Sequence, residues 1–247
     1  MSNWIQGKVV GLRLWTNNLF SLQVSADIQP FTAGQFTKLA LDIDDKRVSR
    51  PYSFVNAPHQ QPLEFYFITL PDGPLTTRLS QLNVGDKVWV LSRPAGFFTL
   101  NEIRDAEQLW LLATGTALGV FLSILRTAEP WARFKNIILV HAVRTADELT
   151  YQNEIASLLK RYPQQFQMIP FVSREKTDNA IMDRIPAAIE DGRLETRAGV
   201  SFHANTSQVM ICGNPDMVRD TRHALEKLGL KKNRRSDPGQ ITVENYW

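Results

Sequence analysis

Leu39, Leu41 and Ile43 alternate with Ala40, Asp42 and Asp44, and Leu63, Phe65 and Phe67 alternate with Glu64, Tyr66 and Ile68. A period of two sends successive side chains to opposite faces, which predicts strands half-buried on a sheet. Val88 and Val90 flank Trp89 just after the turn residues Gly85 and Asp86, and clusters of Gly, Pro, Asn and Asp separate such segments up to about residue 100. Short alternating strands punctuated by turns predict an antiparallel barrel or sandwich. One short helix near Thr76 to Leu82 interrupts it.

The pattern changes after the polar stretch Asn101 to Gln108. Apolar runs starting at Leu109 (LWLLAT), Ile137 (IILVHAV), Phe166 (FQMIPFVS) and Gln208 (QVMICG) alternate with helical segments such as NEIASLLKRY and MVRDTRHALEKLG. In the latter, Met217, Val218, Thr221, Leu225 and Leu228 fall on one face at helical spacing. Continuous apolar strands alternating with helices predict a parallel sheet covered on both faces. The chain therefore reads as two domains, β followed by α/β, over residues 1–100 and 101–247. Ligands of such parallel sheets sit beyond the carboxyl ends of the strands.

Composition narrows the classes. At 247 residues the chain can bury two ordinary cores without cross-links. Its one cysteine, Cys212, excludes an internal disulfide and a cysteine-ligated iron–sulfur cluster. His59, His141, His203 and His223 show no ligand spacing, so no metal is expected. A net charge of +3 and a pI near 9.0 allow a preference for acidic partners without marking a nucleic-acid protein. The opening MSNWIQGKVV carries no basic segment followed by an apolar run, so a cytoplasmic address is expected. Leu109 to Leu125 is uncharged, but it is shorter than a span and is broken by Thr114-Gly115-Thr116. It reads as a buried strand, a tight turn and a buried helix.

Candidate chemistry gathers at the strand ends. Thr114-Gly115-Thr116-Ala117-Leu118-Gly119 is a small-residue turn into a helix, which suits either a phosphate against unpaired amides or a threonine-capped helix. The next two strands end at Val143-Arg144 and Ser173-Arg174, with Arg184 shortly downstream. Singly, each arginine reads as a solvated charge. Jointly they can converge on one phosphate, which favours a 2'-phosphorylated nicotinamide cofactor. Asp147, the nearest carboxylate that could take unphosphorylated ribose hydroxyls, lies past its strand end. The last strand runs into Cys212-Gly213-Asn214-Pro215, where a lone cysteine reads as a small buried hydrophobe.

In the first half stands Arg50-Pro51-Tyr52-Ser53. With GPLTTRL (Gly73 to Leu79), TGTALG, CGNPDMV (Cys212 to Val218) and the closing Glu244-Asn245-Tyr246-Trp247, in that order, the chain resembles the ferredoxin/flavodoxin NADP reductase family. Its close resembles the bacterial flavodoxin-reducing branch. The resemblance, not periodicity, implies FAD held by an antiparallel β-barrel and NADP(H) held by the α/β domain. Arg50 is implied to pair with the FAD diphosphate, Tyr52 to pack on one flavin face, and Ser53 to stand near flavin N5. Pro51 belongs to the same stretch. Tyr66 flanks the cofactor, while Pro74, Leu75, Thr76 and Thr77 open the short helix toward the diphosphate. Thr116 stands where flavin and NADP meet. Val143, Arg144, Ser173, Arg174 and Arg184 match the 2'-phosphate pocket, and Cys212 and Asn214 the nicotinamide side.

The implied reaction exchanges a hydride with NADP(H) and single electrons with flavodoxin or ferredoxin. Ser53, Cys212, Glu244 and Tyr246 are its candidate catalytic residues. VENYW brings two large rings to a chain end whose ordering needs a flat partner. The resemblance makes the flavin of FAD that partner for Tyr246 and Trp247: Tyr246 is expected to hold the place of the nicotinamide on it at rest, with Trp247 packed nearby. The basic run Lys231 to Arg235 reads as a solvated face or as a steering patch for an acidic carrier. Two alternatives compete: an NADPH-dependent flavin reductase serving an oxygenase or a small acceptor, and a barrel-type nucleic-acid module.

Overall fold

The computed structural model describes residues 3–246. Its alternating first-half segments become β1 (Trp4–Leu14), β2 (Leu19–Ser25), β3 (Phe36–Ile43), β4 (Lys46–Ser53), β5 (Leu63–Ile68), helix α1 (Pro74–Leu79) and β6 (Lys87–Leu91). They form one antiparallel sheet in the order β4-β3-β6-β1-β2-β5. The two ends of that order meet through a bridge between Phe54 and Phe65, with the Val55 N–H donating to the Glu64 carbonyl at 2.9 Å. The sheet thus curls into the predicted barrel, and curling covers the backbone edges that an open sheet exposes. Leu39, Leu63, Phe65, Val88 and Val90 all point into its core.

Two local readings change. Asp44 leaves the predicted alternation because Asp44 and Asp45 adopt φ of 49° and 59° and form the two-residue turn between β3 and β4. Two left-handed residues match the twist of a hairpin. The short helix begins at Pro74, earlier than expected, because proline suits the first helical position, where no amide partner is needed. It stops at Leu79, and its Leu75 and Leu79 are buried in the barrel core.

The second half supplies β7 (Gln108–Thr114), α2 (Leu118–Leu125), α3 (Glu129–Arg133), β8 (Asn136–Val143), α4 (Gln152–Arg161), β9 (Phe166–Val172), α5 (Ile185–Glu190), α6 (Arg193–Ala198), β10 (Ser207–Gly213), α7 (Pro215–Lys227) and β11 (Ile241–Asn245). The five strands are parallel, in the order β11-β10-β7-β8-β9. Every residue of β10 is buried, as a strand covered on both faces requires. In α7, Val218, Thr221 and Leu225 face the core as the spacing predicts, but Leu228 caps the helix and is 43% exposed. No described helix is long and apolar enough to cross a membrane.

Residues Gly119–Thr127 belong to the compact unit that holds the barrel, while Leu100–Leu118 and the chain from Ala128 onward form the other. Side chains explain why the body of α2 joins the barrel. Ser123 Oγ donates to the Asn56 carbonyl at 2.8 Å, and Arg126 reaches the Val55 carbonyl at 3.0 Å and the Glu64 carboxylate at 2.8 Å.

β11 corrects the picture of a loose chain end. Ile241 to Asn245 pair in parallel register with Val209 to Gly213, and the Tyr246 N–H donates to the Gly213 carbonyl at 2.9 Å. Five residues with one fully buried member carry too little period for sequence patterning to reveal. Trp247 lies outside the described residues.

Candidate functional site

In the barrel unit the stretch Arg50 to Ser53 ends β4, paired with β3 so that Leu39 faces Arg50 and Thr37 faces Tyr52. β4 lies at one end of the sheet order, where a strand tolerates Pro51. The Tyr52 ring meets Phe67 edge-on, centroids 6.1 Å apart. Its hydroxyl is buried without a hydrogen-bond partner, and burial pushes the phenol well above its usual range. An orphaned buried hydroxyl costs stability unless a ligand satisfies it. The Arg50 guanidinium is exposed and donates only to the Ser49 carbonyl among the described residues, leaving it available to an anion. Ser53 is half-buried, and Tyr66 on β5 is buried.

α1 is more committed than the resemblance implies. Thr76 Oγ1 donates to the Gly73 carbonyl at 3.1 Å and accepts from the Leu70 N–H at 3.3 Å. The Thr77 amide already donates to the Gly73 carbonyl at 3.1 Å. What this turn offers outward is the exposed Thr77 hydroxyl and the first helical amides, at Leu75 and Thr76. Pro74 is exposed and has no amide to give.

In the α/β unit, strand order reverses between β7 and β10, the place where such sheets bind ligands. Gly213 ends β10 with φ of 140°, and a Cβ there would lie 2.0 Å from Thr114 Oγ1. Only glycine fits. Thr114 Oγ1 accepts the Asn214 N–H at 3.0 Å, and Asn214 Oδ1 caps α7 by accepting from the amides of Asp216 and Met217. Sequence reading gave Thr114 only as part of a turn into a helix, which its side chain does not cap, and gave Gly213 no separate role; a glycine between a buried strand and an Asn-Pro helix cap was the available signal. Thr116 is buried in the turn after β7, and His141 Nε2 meets the Gly115 carbonyl at 3.0 Å. Burial holds the His141 imidazole neutral, its pKa lowered to about 4.

The arginine group assembles through its backbone. Past Val143, the Arg144 carbonyl accepts the Arg174 N–H at 2.9 Å, and Ser173 Oγ donates to the Val143 carbonyl at 3.2 Å. The chain then returns so that Ile181 bridges Phe171, and Arg184 follows as the residue before α5. Arg144, Arg174 and Arg184 are exposed and make no ion pair among the described residues. Nearby Asp183 and Asp191 are instead engaged by Arg193, which holds both carboxyls below their usual range. Asp147 accepts from Thr145 Oγ1 in a short 3-10 turn.

Cys212 and Glu244 are register partners across β10 and β11. The thiol is fully buried, and its pKa is raised first by that burial and then by the Glu244 charge, while a hydrogen bond from Tyr246 opposes both. Burial pushes Glu244 up to about 7. The buried Cys212 thiol is therefore neutral and not a nucleophile, and beside it the Tyr246 N–H donates to the Gly213 carbonyl at 2.9 Å. No three His, Cys, Asp or Glu among the described residues are grouped to hold a metal ion.

Comparison with known proteins gives this geometry a context. Residues 15–99 match the family described as oxidoreductase FAD-binding domain, and residues 111–223 match oxidoreductase NAD-binding domain. The flavodoxin/ferredoxin–NADP reductase of Shigella flexneri is 50% identical over 248 residues, all of both chains. The ferredoxin–NADP reductase of Pseudomonas aeruginosa is 32% identical over 99% of this chain and 98% of its own. A crystal structure of a ferredoxin NADP+ reductase from Neisseria gonorrhoeae with bound FAD and NADP superposes with a TM-score of 0.95 at 28% identity, covering all of both chains. With motifs, two-domain architecture and full-length identity in agreement, the chain belongs to the flavodoxin/ferredoxin–NADP reductase family.

Proposed function

We propose that this protein is an FAD-dependent oxidoreductase that exchanges a hydride with NADP(H) and single electrons with flavodoxin or ferredoxin. The observation that carries it is the gathering of Cys212, Glu244 and Tyr246 at the carboxyl end of a sheet whose neighbouring strand ends present Arg144, Arg174 and Arg184. Family membership supports the same reaction.

When bound, FAD supplies the conversion between two-electron and one-electron chemistry. The residues of the chain bind and orient. In this reading the unsatisfied Tyr52 hydroxyl and the available Arg50 guanidinium suit the flavin and its diphosphate, with Ser53, Tyr66, Leu75, Thr76 and Thr77 around them. Arg144, Ser173, Arg174 and Arg184 take the 2'-phosphate, because guanidinium forks match phosphate oxygens and remain charged. Thr116 and Asn214 lie on the nicotinamide side. Tyr246 occupies the surface beside Cys212 that the nicotinamide needs, so productive NADPH binding displaces it. Glu244, poised to titrate near neutrality, can hold or release a proton there. In this reading the enzyme works in the cytoplasm, and its carriers are acidic proteins.

The test is direct. The purified protein should be yellow, and NADPH should bleach its flavin absorbance much faster than NADH; turnover with flavodoxin and ferredoxin from the same cell then ranks the carriers. A colourless protein, or one reduced equally by both nicotinamides with neither carrier accepting electrons, overturns the assignment.

A further inference from the structure

The basic run Lys231 to Arg235 keeps Lys231, Arg234 and Arg235 exposed while ion pairs tie two of them down. Between α7 and β11 it forms a heavily cross-linked loop. Lys231 Nζ pairs with Asp237 at 2.6 Å, and Arg235 makes two bonds to the Glu102 carboxylate at 2.6 and 2.9 Å. Asn233 lies at its centre. Its Nδ2 donates to the Glu102 carbonyl at 2.7 Å and to Thr242 Oγ1 at 3.1 Å, while its Oδ1 accepts the Gly239 N–H at 3.1 Å. Its own N–H donates to the Ile241 carbonyl at 2.8 Å. Both side-chain donor hydrogens and the acceptor are in use. Gly239 is buried, and a Cβ there would come within 2.4 Å of the Lys231 carbonyl oxygen, so the loop closes only on glycine.

The bond to Thr242 has a consequence through strand alternation. Ile241 and Val243 pack into the core shared with α7, so Thr242 and Glu244 point to the opposite face, the one that carries Cys212. Tyr246 follows two residues past Glu244, its N–H donating to the Gly213 carbonyl at 2.9 Å. β11 is short and stands at the end of the sheet order. A slip of one residue along β10 would turn Glu244 into the core and Val243 away from it. We propose that Asn233 is a positioning residue that fixes the register of β11 and thereby holds Glu244 and Tyr246 over Cys212. It grips the strand two residues before the first group it positions. Its effect on nicotinamide selectivity rests on the function proposed above.

Cys212 is the only cysteine, so a thiol-reactive dye reports on this site alone. In the full-length, flavin-loaded protein, Asn233→Ala should raise the rate of Cys212 labelling about tenfold, because losing the clamp favours local opening of the strand. Thr242→Val, nearly isosteric, should do the same and decides the matter where Asn233→Ala does not fold. Arg235→Ala cuts the ion pair in the same loop but leaves the Asn233 bonds, and should label at the wild-type rate. The NADPH-to-NADH ratio of kcat/KM should fall in the first two variants and not in the third. Labelling of Thr242→Val no faster than that of Arg235→Ala overturns the proposal. Altered thiol rates in a protein without NADPH preference would sink the functional reading and leave the positioning role intact; unaltered rates in an active reductase would do the reverse.

Discussion

Cys212 and Glu244 stand opposite each other on two parallel strands, and the Tyr246 N–H donates to the Gly213 carbonyl next to the thiol-bearing residue. Three side chains from two separate stretches of sequence thus share one small surface, and the nicotinamide is proposed to compete for it.

Deleting Tyr246 and Trp247 should release that surface. An internal occupant lowers apparent affinity by the fraction of time it holds the site, so NADP+ binding should tighten on the order of tenfold and discrimination against NADH should weaken. Equilibrium titration of the flavin spectrum and paired kcat/KM values measure both. Unchanged affinity and selectivity would reject Tyr246 as the occupant.

The buried carboxyl of Glu244 makes a pH prediction. Its folded pKa of about 7 lies above the ordinary carboxyl value of 4.5, so between those values the folded protein keeps a proton that the unfolded chain has lost. Stability from this group is full below about pH 4.5, falls as pH rises to about 7, and is flat beyond. Glu244→Gln should therefore match the parent at pH 4 and exceed it by about 3 kcal/mol at pH 8. Urea unfolding at the two pH values decides; an equal margin at both would mean that the carboxyl is not desolvated.

Removing the guanidinium of Arg174 or Arg144 should lower kcat/KM for NADPH about 10- to 100-fold, the range expected for charge-assisted bonds to phosphate. NADH, lacking the 2'-phosphate, should be used as before. Loss of both substrates in parallel would assign these arginines to the scaffold.

Tyr52→Phe should act with opposite signs on the two forms of the protein. Without flavin, deleting an unsatisfied buried hydroxyl stabilises the fold by about 1 kcal/mol; with flavin, the same deletion weakens cofactor binding by a similar amount. Thermal melts of both forms test it. A variant that is destabilised without flavin would show that the hydroxyl has a partner within the protein.

Sequence alone carried the main architecture because it is written in short-range pattern. A period of two at Leu63 to Phe67 and unbroken apolar runs such as Leu109 to Ala113 follow from which faces are buried, and burial dominates the folding free energy. The stretch Cys212 to Val218 was legible as a strand running into a helix for the related reason that the turn at Gly213 and the Asn214-Pro215 helix start admit few residue types. Tertiary structure decided what depends on distant partners. β11 exists because β10 offers a ladder to five residues with little pattern of their own. Gly213 is required because Thr114, a hundred residues earlier in the chain, comes to within hydrogen-bond range of Asn214 beside it. Lys231 and Arg235, two charges in a basic run, became ion pairs because Asp237 and Glu102 reach them. Glu244 acquired its raised pKa from burial that no local window contains. Local pattern fixes what each segment can form, and long-range contact selects which groups meet and how strongly they are desolvated.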